Sequence, residues 1–297
     1  MSESIVQEKI NTVLALFSKG NLEETLDLTS QLTIDHPNEP ILFNIQGACY
    51  AGLTNYKEAI KSYEMAIALD PNYAKAYFNL AGTLHEMEKL EASVKAYKIA
   101  LKIEPENEAA LNNLGNVYQD LKEHHKAIDC YKKATSIKHD YVEAHYSHGN
   151  THQDLGNLEE AIQSYERVLE LKPSIFELRS NLGNIYREIG DHDKAIESYR
   201  EAININPEFA QAYFNLGIVL SESRDYDNAI KTYKLAINFK PDFFEAHNNL
   251  GMTFQEKGEL NQAIVFFENA LKFNPNYVEA INNYGVVLKD TGRLKEA

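Results

Sequence analysis

The sequence predicts an all-α solenoid built from a chain of two-helix repeats. Two observations carry this. Residues of four kinds recur every 34 positions along the chain, and each period holds two stretches with apolar side chains at helical spacing. The proline comb is Pro37, Pro71, Pro105, Pro173, Pro207, Pro241 and Pro275; His139 fills its empty node, and Pro40 lies off the grid. One small-residue comb runs Gly47, Ala81, Gly115, Gly149, Gly183, Gly217, Gly251 and Gly285. A second runs Ala59, Ser93, Ala127, Ala161, Ala195, Ala229, Ala263 and Ala297. The aromatic comb is Tyr63, Tyr97, Tyr131, Tyr165, Tyr199, Tyr233 and Phe267.

The elements follow in order within one period, Ala210 to Phe243. The stretch AQAYFNLGIVLSES reads as a first helix with Tyr213, Leu216 and Leu220 on one face. RDYD is a polar break. NAIKTYKLAINF reads as a second helix, carrying Ile230, Tyr233, Ala236 and Ile237. Lys240-Pro241 stops it, because proline lacks the amide proton and restricts the residue before it. Gly217 and Ala229 are expected to let the two backbones approach closely. The tyrosines are expected to fill the space between one helix pair and the next.

These residues resemble the tetratricopeptide repeat, whose 34-residue pattern is W-x2-L-G-x2-Y, then A-x3-F, A and P. The matching segments are Leu114-Gly115-Asn116-Val117-Tyr118 with Ala127, Tyr131 and Ala134, and Leu182-Gly183-Asn184-Ile185-Tyr186 with Ala195, Tyr199, Ala202 and Pro207. The family's tryptophan is absent; Phe43, Tyr77, Leu111 and Tyr213 are among its replacements. The resemblance implies a right-handed superhelical solenoid with first helices lining its concave face. Residues 1–297 read as a single array, with repeats 6–39, 40–73, 74–107, 108–141, 142–175, 176–209, 210–243 and 244–277 and a partial one, 278–297. The first diverges, with Val13, Thr25 and Thr29 at the Gly, Ala and Tyr nodes, as a capping repeat should. Residue 297 falls in mid-repeat, and Leu288 stands where Tyr118 and Tyr186 stand in their repeats. The last first helix is therefore expected to keep an uncovered apolar face, and the chain to be a fragment of a longer reading frame.

Charge narrows the function. With 29 basic against 44 acidic side chains the net charge is −15, which disfavours nucleic acid and anionic membrane surfaces. The segment from Met1 to Phe17 interleaves apolar and polar residues without a basic start, so it reads as an amphipathic helix and not a signal peptide. No apolar run is long enough for a membrane span. Cys49 and Cys130 fit neither a disulfide framework nor a zinc pattern; they are expected to be buried small residues, and the location cytoplasmic.

The expected binding surface is the concave face, on which the resemblance places repeat positions 2, 5, 6, 9, 12 and 13. Position 6 reads Ile45, Asn79, Asn113, Ser147, Asn181, Asn215, Asn249 and Asn283. A carboxamide donates and accepts side by side and so matches a peptide backbone. The ladder resembles that of O-linked N-acetylglucosamine transferase, where such asparagines hold extended peptides. The alternative is that these amides bridge neighbouring helices. Position 13 adds Glu86, Asp120, Asp154, Glu188, Glu222, Glu256 and Asp290. Across the six positions of repeats two to nine, eleven carboxylates stand against Lys75, Arg187 and Lys289, a net of −8. A wall of one sign steers a partner of the other, so polar or net-basic peptide segments are the expected ligands. Position 5 lacks lysine and position 6 lacks arginine, which excludes the clamp by which co-chaperone domains of this family grip a C-terminal carboxylate.

His145, His148 and His152 lie on one helix face with His124, His125 and His139 upstream. Metal binding, a pH-sensitive joint and plain hydrogen-bonded packing are the alternatives, and packing is preferred, because positions 4, 7 and 11 are mostly apolar in other repeats. No phosphate loop, G-x-S-x-G or H-E-x-x-H occurs, so this chain is read as no enzyme, without cofactor or metal. The expected function is a protein-interaction scaffold. The alternative is the substrate-recruiting region of a larger transferase, resembling either O-linked N-acetylglucosamine transferases or sulfotransferase-like proteins. Self-association is left open.

Overall fold

The computed structural model describes residues 2–293, with side chains from Val6; Ala297, last of the alanine comb, lies outside them. The described residues form seventeen α-helices and no strand. The first helices are α1 (Ser2–Ser18), α3 (Pro40–Gly52), α5 (Ala74–Glu86), α7 (Glu108–Asp120), α9 (Val142–Asp154), α11 (Phe176–Glu188), α13 (Ala210–Glu222), α15 (Phe244–Glu256) and α17 (Val278–Asp290). The second helices are α2 (Leu22–Asp35), α4 (Tyr56–Leu69), α6 (Leu90–Ile103), α8 (His124–Ile137), α10 (Leu158–Leu171), α12 (His192–Ile205), α14 (Tyr226–Phe239) and α16 (Leu260–Phe273). None is long and apolar enough to cross a membrane among the described residues.

Helix ends follow the combs. Each second helix closes with a cap N–H bonded back to the carbonyl four residues earlier. That carbonyl belongs to an alanine in six of them, as Asp70 bonds Ala66 and Lys240 bonds Ala236, and to Leu32 and Val168 in α2 and α10. A proline falls in the turn beyond all but α8. α8 ends at Ile137 in the same register although His139 replaces the proline, so the neighbouring packing stops that helix without it. First helices end in a Schellman turn: Thr54 N–H bonds Ala51 O at 2.9 Å and Asn55 N–H bonds Tyr50 O at 2.8 Å. This turn puts repeat position 15 at positive φ. Gly20, Gly156, Gly190, Gly258 and Gly292 occupy it in five repeats, but Thr54, Glu88, Lys122 and Arg224 adopt φ of 57–62° in the other four.

The chain divides after Ser164, inside α10, into two compact units. In the first, consecutive helices pack on each other and the first helices also touch, α3 on α5, α5 on α7 and α7 on α9. The second repeats the scheme with α11, α13, α15 and α17. Each interior is a row of comb residues: Tyr63, Tyr97, Tyr131, Tyr165, Tyr199, Tyr233 and Phe267 are all buried. The glycine comb works differently from the expectation. An added Cβ at Gly115 would lie 2.5 Å from Tyr131 Cε1, and at Gly217 2.6 Å from Tyr233 Cε1. Glycine thus seats the aromatic ring of its own repeat, so the rings fill space within a pair as well as reaching the next. The first repeat conserves volume by exchange, since Val13 and Thr29, both fully buried, stand in place of glycine and tyrosine.

Leu288, expected on an uncovered face, is fully buried beside Val287; the exposed apolar side chains of α17 are Val278, Ile281 and Val286. Cys49 and Cys130 are free and buried, and burial pushes both thiols up to about 11.

Candidate functional site

The first helices place the asparagine ladder where neighbouring repeats meet. In the first unit Asn79 Nδ2 donates to Asn44 Oδ1 at 2.9 Å, and Asn113 Oδ1 accepts from Asn112 Nδ2 at 3.3 Å. In the second unit Asn215 Nδ2 donates to Asn184 Oδ1 at 3.0 Å while its Oδ1 accepts from Gln211 Nε2 at 3.0 Å. Asn283 Nδ2 donates to Asn248 Oδ1 at 3.0 Å, and Asn249 Oδ1 accepts from Asn248 Nδ2 at 3.3 Å. Asn215 is buried, Asn181 is exposed, and Asn79, Asn113, Asn249 and Asn283 are half-buried. The amides of Asn79, Asn215 and Asn283 therefore tie one first helix to the preceding one and keep only part of their capacity for a ligand.

Position 5 corrects the sequence reading. Asn44, Asn112, Ser180 and Asn248 are buried, so they lie in the joints between helices and not on an open face. The asparagine amides bond to neighbours, as a buried amide requires. Asn112 Oδ1 is the exception, buried without a partner.

The carboxylates are open. Glu86, Asp120, Asp154, Glu188, Glu222 and Glu256 are all exposed, each as the last residue of its first helix. In the first unit they pair across the repeats: His85 Nε2 lies 2.6 Å from Asp120 Oδ2, and Gln119 Nε2 donates to Asp154 Oδ2 at 3.3 Å. In the second unit His192 Nε2 lies 3.9 Å from Glu222 Oε2. There Glu222, Glu256 and Asn249 come together around a cavity of about 310 Å³ whose wall includes Ile218, Met252 and the buried Tyr233. Burial pushes the Tyr233 hydroxyl up to about 12, and the nearby Ser221 and Asn249 side chains pull it partly back.

Position 9, expected on the concave face, changes character along the chain, which the sequence reading did not use. It runs Ala48, Gly82, Asn116, Asn150, Asn184 and then Ile218, Met252 and Val286. Asn116 and Asn184 accept the hydroxyls of Tyr131 and Tyr199 at 2.7 Å. The last three form an apolar row between the asparagines and the carboxylates, with Met252 and Val286 exposed. The signal was the change of residue type along one node.

His139, His145, His148 and His152 are hydrogen-bonded, whereas His125 is exposed and His124 Nδ1 is buried without a partner. His145 Nε2 lies 3.0 Å from the His139 carbonyl, as His247 Nε2 lies 3.0 Å from that of Pro241. His148 and His152 form a directed chain. Asn157 Nδ2 donates to His152 Nδ1 at 3.4 Å, His152 Nε2 to His148 Nε2 at 3.1 Å, and His148 Nδ1 to Ser164 Oγ at 3.0 Å. Ser164 Oγ donates onward to the Glu160 carbonyl at 2.9 Å. Every member is satisfied only when both rings are neutral. Burial, then the neighbouring His152, Lys132 and His145, lower His148 from 6.5 to about 4. His152 is lowered too, by burial and Lys132 against the pull of Glu160.

Known proteins share the repeat. The TPR repeat model matches residues 53–87, 83–122, 183–223 and 222–258, and two tetratricopeptide repeat models match 106–174 and 244–277. The chain is 30% identical over 80 residues to the peroxisomal targeting signal receptor of Saccharomyces cerevisiae (strain ATCC 204508 / S288c), a match covering 26% of this chain and 13% of the receptor's length. The crystal structure of MamA superposes with a TM-score of 0.53 at 28% identity, over 57% of this chain and 92% of that one. YrrB, described as a TPR protein with an unusual peptide-binding site, superposes with a TM-score of 0.55 at 21% identity, over 64% and 97%, and shares the fold. Helix pairs in register with the combs, and repeat models matched on both sides of Ser164, lead to one conclusion: the chain belongs to the tetratricopeptide repeat family.

Proposed function

We propose that the chain is a protein-interaction scaffold that holds peptide segments against its first helices, in an acidic groove lined with asparagines. The observation that carries this is the cavity in the second unit, where Glu222, Glu256 and Asn249 surround Ile218 and Met252. Carboxylates at its rim suit a basic side chain, the apolar row suits an aliphatic one, and the half-buried Asn249 amide in the wall offers polar contact to a peptide group. The 34-residue phase runs through Ser164 without a break, and we read 6–297 as one array. YrrB's peptide-binding site supports the reading by fold alone. The free, buried cysteines fit a reducing, cytoplasmic setting. The recruiting-arm alternative rests on the ladder's resemblance, and the downstream reading frame decides it.

The test is the triple reversal Glu188→Lys, Glu222→Lys and Glu256→Lys. All three side chains are exposed, so the melting temperature should hold. Affinity for a fluorescein-labelled lysine-leucine decapeptide should fall about tenfold or more, with a steep salt dependence in the parent protein. Binding that ignores both the reversal and salt refutes the groove.

A further inference from the structure

One cleft recurs in the second-helix layer; Lys126 and Lys194 share a position in it, as do Asp129 and Glu197, but two other positions reverse their charge. In the second unit α10, α11 and α12 enclose a cavity of about 470 Å³. In the first unit α6, α7 and α8 enclose one of about 390 Å³. The two are lined from the same repeat positions, two repeats apart.

The second-unit cleft satisfies itself. Arg179 forms an ion pair with Glu201 across it, and the Tyr186 hydroxyl donates to Glu166 Oε1 at 2.8 Å. In the first-unit cleft Leu111 stands for Arg179, Lys133 for Glu201 and Lys98 for Glu166. Lys126 completes the set, its Nζ 5.4 Å from the Tyr118 ring centroid and 2.7 Å from Glu123 Oε2, while Lys98 Nζ lies 5.8 Å from the same ring. Asp129 is the one carboxylate among the lining residues. Glu123 and Asp129 answer part of this charge, but Lys98 and Lys133 cannot close on each other, and the cleft keeps a net positive charge for a partner to complement. Leu111 and Leu114, left in the lining, provide an apolar floor. The wider surface has the same sign: α6 and α8 carry six lysines against Glu91 and Asp129, in a chain of net −15.

We infer that this cleft is a second binding site, separate from the first-helix groove, that takes an acidic peptide segment presenting a bulky apolar side chain between carboxylates. Lys98, Lys126 and Lys133 complement the carboxylates, and the leucine floor receives the apolar group. The cavity has room for one or two side chains. Nucleic acid has the charge but offers no aliphatic group for the floor, and the acidic remainder of the chain repels it.

The test titrates a fluorescein-labelled decapeptide of glutamates around two central leucines. The matched control has glycine for leucine. Lys98→Glu with Lys133→Glu reverses two exposed side chains and should leave the melting temperature unchanged. Leu111→Arg with Lys133→Glu should instead install the ion pair of the second unit and close the cleft. Both double variants should weaken the leucine peptide about tenfold or more, and the glycine peptide should bind the parent just as poorly. The lysine-leucine peptide should bind all three proteins alike, which separates this site from the groove. The inference is overturned if the acidic peptide binds parent and variants equally, or if leucine is dispensable. It is also overturned if a single-stranded thymidine oligomer displaces the peptide. A dimer seen by sedimentation that Lys98→Glu with Lys133→Glu dissolves, without peptide binding to the parent, would likewise overturn it and make a second copy the occupant.

Discussion

Replacing Gly115 by alanine sets two known effects against each other. In a helix interior the exchange alone gains about 1 kcal/mol from backbone propensity. Here the new methyl would lie 2.5 Å from Tyr131 Cε1 and 2.9 Å from both Cδ1 and Cζ. Ordinary carbon contacts are about 3.5–4.0 Å, so the ring or the helix must shift by about 1 Å. Tyr131 is fully buried and its hydroxyl donates to Asn116 at 2.7 Å and Gln119 at 3.2 Å, so the ring cannot swing without loss. Overpacking costs about 1–3 kcal/mol and a weakened hydrogen bond about 1 more. The net expectation is a destabilisation of about 1–3 kcal/mol. Gly82→Ala in the same unit is the control, because its nearest neighbour outside its own helix is Tyr97 Oη at an ordinary 3.5 Å, and it should stabilise by about 0.5–1 kcal/mol. Urea unfolding followed by far-UV circular dichroism compares the midpoints, since a repeat array need not unfold in two states. If Gly115→Ala is as stable as the parent, or tracks Gly82→Ala, the seat described for the ring is wrong. Ala81 does not contradict this, because the α5 node is rebuilt: Ser93, not alanine, stands opposite, its hydroxyl donating to the Ala81 carbonyl at 2.8 Å.

Three further outcomes are expected. His148 is held neutral in the fold, so the unfolded chain binds protons first as pH falls; stability is complete above 6.5 and is lost between there and about 4. After discounting for partial exposure the loss is about 1–2 kcal/mol, and His148→Leu with His152→Tyr, copying Leu114 and Tyr118, should flatten the acid limb of midpoint against pH. Thr54→Gly should raise stability by about 1 kcal/mol, seen as a higher urea midpoint, because a β-branched residue at φ 60° is strained and glycine is not. Tyr131→Phe should lower stability by about 1 kcal/mol through the lost bonds to Asn116 and Gln119, with no change in the circular dichroism spectrum.

The helix pairs were legible because their signals are local and repeated. Pro71, Gly115 and Tyr131 each mark a node, and a helix needs only its own period to be recognised. Position 15 was missed because Thr54, Glu88, Lys122 and Arg224 interrupt its glycines, and residue type conceals a positive φ that the turn imposes. Position 5 was misplaced because the family resemblance assigned it to the concave face as a whole, whereas Asn44 and Asn248 are held in the joints by Asn79 and Asn283, 35 residues away. The carboxylates at position 13 were placed on an open surface because each ends a helix. The clefts were hidden altogether, since Lys98, Leu111 and Lys133 come from three helices and share no comb.

Contact between neighbouring helices alone has a consequence for how such a chain can change. Each cleft draws its lining from one and a half repeats, and no side chain serves both of the two described above. Duplicating two repeats would copy an address whole, and exchanging three side chains would rewrite it without disturbing the next. The His148–His152 joint, the lysine cleft and the Arg179–Glu201 cleft then read as three letters set in the same type, each open to revision on its own.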